Sequence, residues 1–331
     1  MKDLIITFVL VTLGVFAFTA IAERILIPIL RARKAGQKIL DIGPGWHKSK
    51  EGTPTMGGIG FILPILLVVF FFFIKVGIQG EAPDYIPLAL TIAYAVANGA
   101  IGFVDDYCKL IKKQNEGLTR IQKTVLQFAI TAGYLCVMGY TGNLPSEIII
   151  PLINLPIRGA VWYIFAGLMA FVVVNGANFT DGIDGLASSV TYVIGIFLAI
   201  FAFFAKDMGL SVVGGAIIGA TLGFLLYNFH PAKVFMGDTG SLFLGGLVMG
   251  SLFQMQKPLL AFLVCAVYII ELLSSMLQIL YFKLTHGKRL FKMAPIHHHF
   301  EKCGWSENKV VFVFATVELI FCTLAFILTR Q

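Results

Sequence analysis

Runs of about 20 apolar residues, the length of helix needed to cross a bilayer, recur along the whole of this chain. Ten of them can be marked: 3–24, 57–76, 85–104, 121–140, 159–177, 186–205, 210–228, 241–256, 258–282 and 309–329. In lipid every backbone N–H and C=O must be paired within the chain, so runs of this length read as helices. Only 13% of the residues are charged, about half the share usual in soluble domains. Charge so sparse cannot cover a water-facing surface. The expected fold is an all-α polytopic membrane protein of about ten transmembrane helices.

The distribution of Lys and Arg sets an expected orientation. The loops at 24–56, 105–123, 228–241 and 283–309 hold 19 of the 25 basic residues. Basic loops stay in the cytoplasm, which puts both termini on the periplasmic or extracellular side. The net charge of +7 then serves topology, anionic lipids and phosphates rather than nucleic acid. The first apolar run lacks a small-residue cleavage site and reads as a retained helix. Residues 141–158, with two short apolar runs and three prolines, suggest a small β-hairpin. The five cysteines form no CxxC pair and read as free thiols. With no composition break, residues 1–331 read as one membrane-embedded domain.

Polar chemistry collects on the side assigned to the cytoplasm. All six histidines and the acidic pairs fall there, at helix ends and in loops. A transporter would place such groups near the bilayer midplane. Asp105 and Asp106 end the third run, with Lys109 four residues after Asp105. Adjacent carboxylates there call for a divalent metal or a lysine, unless the helix end is simply solvated. The lysine at the fifth position departs from the DDxxD pattern. The segment from Asn175 to Leu186 packs Asn178, Asp181 and Asp184 among glycines, supplying hydrogen bonds and metal oxygens on a tight turn.

From Asn228 to Ser241 a second polar segment contains Phe235 and Asp238. A helix start there can hold phosphate, and its carboxylate can hold Mg²⁺. Phe235 could stack on a base or simply be buried. His297, His298 and His299 cannot all point one way, and they lack zinc-site spacing. Beside Lys288, Arg289 and Lys292 they suit phosphates. Lys50 and Thr55, in a Gly-rich segment before the second run, form either an anion site or a structural helix-start loop. Glu271 and Glu318 fall inside runs and have no role assigned by the sequence. The whole is equipment for binding a diphosphate with a divalent cation.

The segments KEGTPTMGG (50–58), DDYCK (105–109), NFTDGIDGLA (178–187), NFHPAKVFMGDTGS (228–241) and PIHHHFE (295–301) resemble, in order and over nearly the whole chain, the phospho-N-acetylmuramoyl-pentapeptide-transferase family. The aspartate motifs are shared with the wider polyprenyl-phosphate sugar-1-phosphate transferases; the triple histidine points to this branch. The resemblance implies a reaction of UDP-MurNAc-pentapeptide with undecaprenyl phosphate, giving lipid I and UMP in peptidoglycan biosynthesis. It implies Mg²⁺, a homodimer in the bacterial plasma membrane, and a ninth helix bent into the bilayer.

The resemblance also carries roles. Asp238 corresponds to the magnesium ligand, and Asp105, with Asp106 beside it, to the base that deprotonates the lipid phosphate for direct attack. A covalent aspartyl-phosphate route is the alternative. Lys109 and Lys123 would face phosphates. Asn178, Asp181, Asp184, Asn228 and Phe235 would frame the nucleoside. Lys50, Thr55, His297, His298 and His299 would line the rest. Two rival functions are an N-acetylglucosamine-1-phosphate transferase and a transporter of nucleotide sugars or lipids.

Overall fold

The computed structural model describes residues 1–33, 50, 52–112, 117–150 and 154–329. Among them, nine helices are long and apolar enough to cross a bilayer. They are α1 (Lys2–Ala32), α2 (Ile59–Ile78), α3 (Ile86–Lys112), α4 (Arg120–Tyr140), α5 (Gly159–Thr180), α6 (Leu186–Ala205), α7 (Met208–Asn228), α10 (Ala266–Leu284) and α12 (Glu307–Leu328). Their outward faces carry exposed Leu, Ile and Phe, among them Leu10, Leu63, Phe70 and Phe312. In water such a surface would be untenable; in hydrocarbon it costs nothing. The expected all-α membrane architecture is the one observed.

The core is organised around α8 (Gly237–Gln254), in which every residue from Thr239 to Phe253 is buried. At 18 residues it is about 27 Å long, slightly short of the hydrocarbon thickness. Other helices surround it, with α3 making the broadest contact. Small residues permit this closeness: a Cβ on Gly245 would come 2.8 Å from the Val174 Cα of α5, and one on Gly246 would come 3.1 Å from the Ala95 Cα of α3. Without a hydrophobic drive between helices in lipid, such backbone approach is what holds them.

One expected span is not a single helix. Residues 258–282 divide into a 3₁₀ turn (Pro258–Leu260), a short helix α9 (Ala261–Val264) and α10, with the break at Cys265. The physical cause lies on α12, where Glu318 is wholly buried and its Oε2 accepts from the Val267 N–H at 2.9 Å. A new helix start leaves orphan N–H groups, and Glu318 supplies an acceptor where no water can.

The hairpin expected within 141–158 is present as β1 (Glu147–Ile150) and β2 (Leu155–Arg158), antiparallel with Glu147 opposite Arg158 and ion-paired to it. A last short helix, α11 (Ile296–Glu301), carries the three histidines. His47, Lys48 and Glu51 lie outside the described residues.

Candidate active site

The last turns of α3 present Asp105, Asp106 and Lys109 to the first turn of α8. That turn begins at Gly237, whose φ is +69° and where a Cβ would come 2.5 Å from Asp106 Oδ2 and 2.7 Å from Thr55 Oγ1. Only glycine suits this backbone and this crowding. The Asp106 carboxylate accepts from the Thr239 N–H (2.9 Å), the Thr239 hydroxyl (2.7 Å) and the Asp238 N–H (3.3 Å). It therefore caps α8 from outside and complements the positive end of its dipole.

Asp238 is aimed by this cap. Its Oδ2 lies 2.7 Å from Lys123 Nζ and 3.2 Å from Lys109 Nζ, and its Oδ1 accepts from Asn178 Nδ2 at 2.8 Å. Lys123 is available because a capping box of Thr119 and Gln122 starts α4 immediately before it. Asp105 receives Lys109 Nζ at 2.6 Å and the Leu118 N–H at 2.8 Å. Asp105, Asp106 and Asp238 each offer an oxygen within 4.8 Å of the others. Four helix ends, far apart in the chain, thus meet on a triad of carboxylates faced by two lysines and an amide.

A second polar group adjoins it. Lys50 Nζ lies 2.6 Å from Asp184 Oδ1 and 2.6 Å from Glu307 Oε2. Asp184 Oδ2 accepts from the Ala232 N–H at 2.9 Å and lies 3.0 Å from His230 Nδ1. Asp181 stands between the two groups. Burial, then the charges of Asp238, Asp106 and Asp184, push its pKa up to about 8, against a lowering by the Gly237 N–H.

Asn228 is buried as a brace: its Oδ1 accepts from the Gly185 N–H and the Ser188 hydroxyl, and its Nδ2 donates to the Val234 carbonyl. Half-buried Phe235 is held by backbone pairing with the Pro54–Gly57 segment, its N–H donating to the Pro54 carbonyl at 2.8 Å. This pairing brings Thr55 to the rim of the carboxylate triad.

A family model described as glycosyl transferase family 4 matches residues 88–256, the stretch that supplies the triad, both lysines and Asn178. Over 312 residues the chain is 45% identical to a phospho-N-acetylmuramoyl-pentapeptide-transferase of Caldicellulosiruptor bescii, covering 94% of this chain and 93% of the relative. The chain belongs to the phospho-N-acetylmuramoyl-pentapeptide-transferases. A relative of that name from Clostridium perfringens is 44% identical, covering 94% of this chain and 93% of its own. One from Acetivibrio thermocellus is 40% identical, covering 95% and 93%. The protein is therefore an enzyme, a transferase.

Within this phospho-N-acetylmuramoyl-pentapeptide-transferase framework the histidines divide. His297 is wholly buried, with Nδ1 2.9 Å from Glu271 Oε2. His298 Nδ1 lies 2.6 Å from Glu301 Oε2, and His299 Nδ1 accepts from the Lys292 N–H at 3.0 Å. Sequence reasoning did not pick out Glu307 or Glu271 as site residues. Ser306 caps α12 with its side chain, and no spacing rule says that Glu307, the next residue, turns toward Lys50.

Proposed function

We propose that this transferase moves phospho-MurNAc-pentapeptide from UDP-MurNAc-pentapeptide to undecaprenyl phosphate, with Mg²⁺, yielding lipid I and UMP. We place its site at the cytoplasmic face, and its assembly as a homodimer. The observation that carries the reading is Asp238, held at a helix start between Lys109, Lys123 and Asn178 and beside Asp105 and Asp106.

Hard oxygen donors in this number suit Mg²⁺, which takes one or two carboxylates and keeps waters or phosphate oxygens elsewhere. Asp106 spends its oxygens on Thr239 and Asp238, so Asp238 is the residue that would hold the ion. When bound, Mg²⁺ polarises phosphoryl oxygens and offsets their charge.

The chain's own groups divide the remaining work. Asp105 takes the proton of the lipid phosphate, whose oxygen then attacks the β-phosphorus. The bond from that phosphorus to the bridging oxygen breaks, and UMP leaves with the electron pair. Lys109 and Lys123 face the phosphates and offset the negative charge that accumulates. Asp181, Asp184 and Phe235 frame the nucleoside, with Asn228 bracing the turn behind them, and Lys50, Thr55 and the histidine segment border the sugar-peptide end.

The test is UMP release by purified enzyme in detergent, with each substrate and Mg²⁺ omitted in turn. The proposal expects release only when the muramoyl nucleotide, the lipid phosphate and Mg²⁺ are all present. Turnover of UDP-GlcNAc in place of the muramoyl nucleotide would reassign the donor, and vectorial uptake without UMP release would mark a transporter.

A further inference from the structure

We propose that Glu271 and His297 form a buried positioning pair that sets the height of the 181–184 turn through Gly182, rather than touching substrate. This rests on the functional reading above. Both side chains are wholly buried, and His297 Nδ1 lies 2.9 Å from Glu271 Oε2. The opposite ring nitrogen, Nε2, is buried and makes no hydrogen bond among the described residues. It is pressed against Gly182, where an added Cβ would stand 2.2 Å from it.

The contact is well placed to act on the site. Gly182 is itself exposed, and the turn it belongs to carries Asp181 on one side and Asp184 on the other. Asp181 feels Asp238 and Asp106, whereas Asp184 grips Lys50. A vertical shift at Gly182 therefore changes the spacing between the diphosphate end and the nucleoside end.

The support beneath is stiff. The start of α11 is tied to α10 by the Ile296 N–H donating to Ser274 Oγ at 3.0 Å, and Ser274 in turn donates to the Glu271 carbonyl at 2.7 Å. A ring oriented by a buried carboxylate cannot easily tilt away, since leaving Nδ1 unpaired in the interior is costly.

The pair makes a claim that double substitution can decide. UMP binding by the full-length enzyme is titrated in detergent for the wild type, Gly182→Ala, His297→Ser and the double variant, with melting temperature as the check on folding. Gly182→Ala should weaken UMP binding about tenfold, because even a small displacement of a positioned turn is expensive. With His297→Ser making room below, the same alanine should cost at least about threefold less, the signature of residues in contact. Glu271→Gln, which keeps a hydrogen-bonding partner, should stay closer to wild type in UMP affinity than Glu271→Leu.

Equal penalties for Gly182→Ala in both backgrounds would overturn the proposal, as would His297→Ser abolishing UMP binding outright, the mark of direct contact. Wild-type protein that ignores UMP altogether would instead remove the functional reading, and this inference with it.

Discussion

Lys123, on the first turn of α4, holds its ammonium 2.7 Å from the carboxylate of Asp238 on the first turn of α8, 115 positions later in the chain. Lys109 approaches the same oxygen at 3.2 Å. A carboxylate at a helix start, compensated by two cations and an amide, stays ionised and fixed in direction.

Because that carboxylate is aimed rather than merely present, Asp238→Asn should keep the packing and lose the chemistry. Turnover, read as UMP release, is expected to fall by about 10²-fold or more, as when a single charged stabiliser is removed from a preorganised site. Asp105→Asn should fall similarly. Near-normal rates in both variants, with unchanged melting temperatures, would show that the triad is not the reaction centre.

Phe235 is held by backbone pairing rather than by burial, so its side chain can be truncated without disturbing the segment. Phe235→Ala should weaken UMP binding by about 1–3 kcal/mol, the value of one base-stacking contact. Affinity unchanged on titration would place the uracil elsewhere.

Asp181, with a pKa pushed up to about 8, predicts a pH dependence in chelator-treated protein. Its folded value lies above its unfolded one, so folding favours the protonated form. That contribution is complete below about pH 4, near the ordinary Asp value, and is lost as pH rises through about 8. The melting temperature should therefore decline toward pH 8 more steeply in the wild type than in Asp181→Asn. Parallel profiles would mean that Asp181 is already ionised in the folded protein.

Glu318 supplies the acceptor at the break before α10. Glu318→Leu leaves the Val267 N–H unpaired in the interior, a cost of about 1–3 kcal/mol, and should lower the melting temperature in detergent. Glu318→Gln, which retains an acceptor, should lose much less. Equal stability of the two would detach the break from this residue.

Much of this was legible beforehand, and the reasons are physical. Apolar length locates helices without reference to partners, so α1–α7 and α12 fall where the runs were marked. Turn-formers around two short β-prone runs announced the hairpin. Asp105, Asp106 and Asp238 could be marked one by one because they sit at helix ends, Asp105 with Lys109 four residues on; the joint role of the three, and the part of Lys123, came from the family resemblance. What local pattern cannot carry is tertiary placement. Nothing in PIHHHFE says that His297 turns inward while His298 and His299 do not, and Asn228 looks like a ligand residue yet serves as a brace. The division at Cys265 is set by Glu318, more than fifty positions away, and hydropathy over 258–282 runs straight through it.

The pair of lysines on Asp238 has a thermodynamic consequence for the proposed chemistry. A divalent ion arriving alone meets an acidic group whose charge is already spoken for, and must compete with two resident ammonium groups. An incoming diphosphate offers those ammonium groups another anion and frees the aspartate to receive the metal. Ion and nucleotide should then act as mutual activators, each raising the other's affinity by the same factor, as linkage requires. Enzyme at low magnesium should accordingly bind the ion more tightly when nucleotide is in excess.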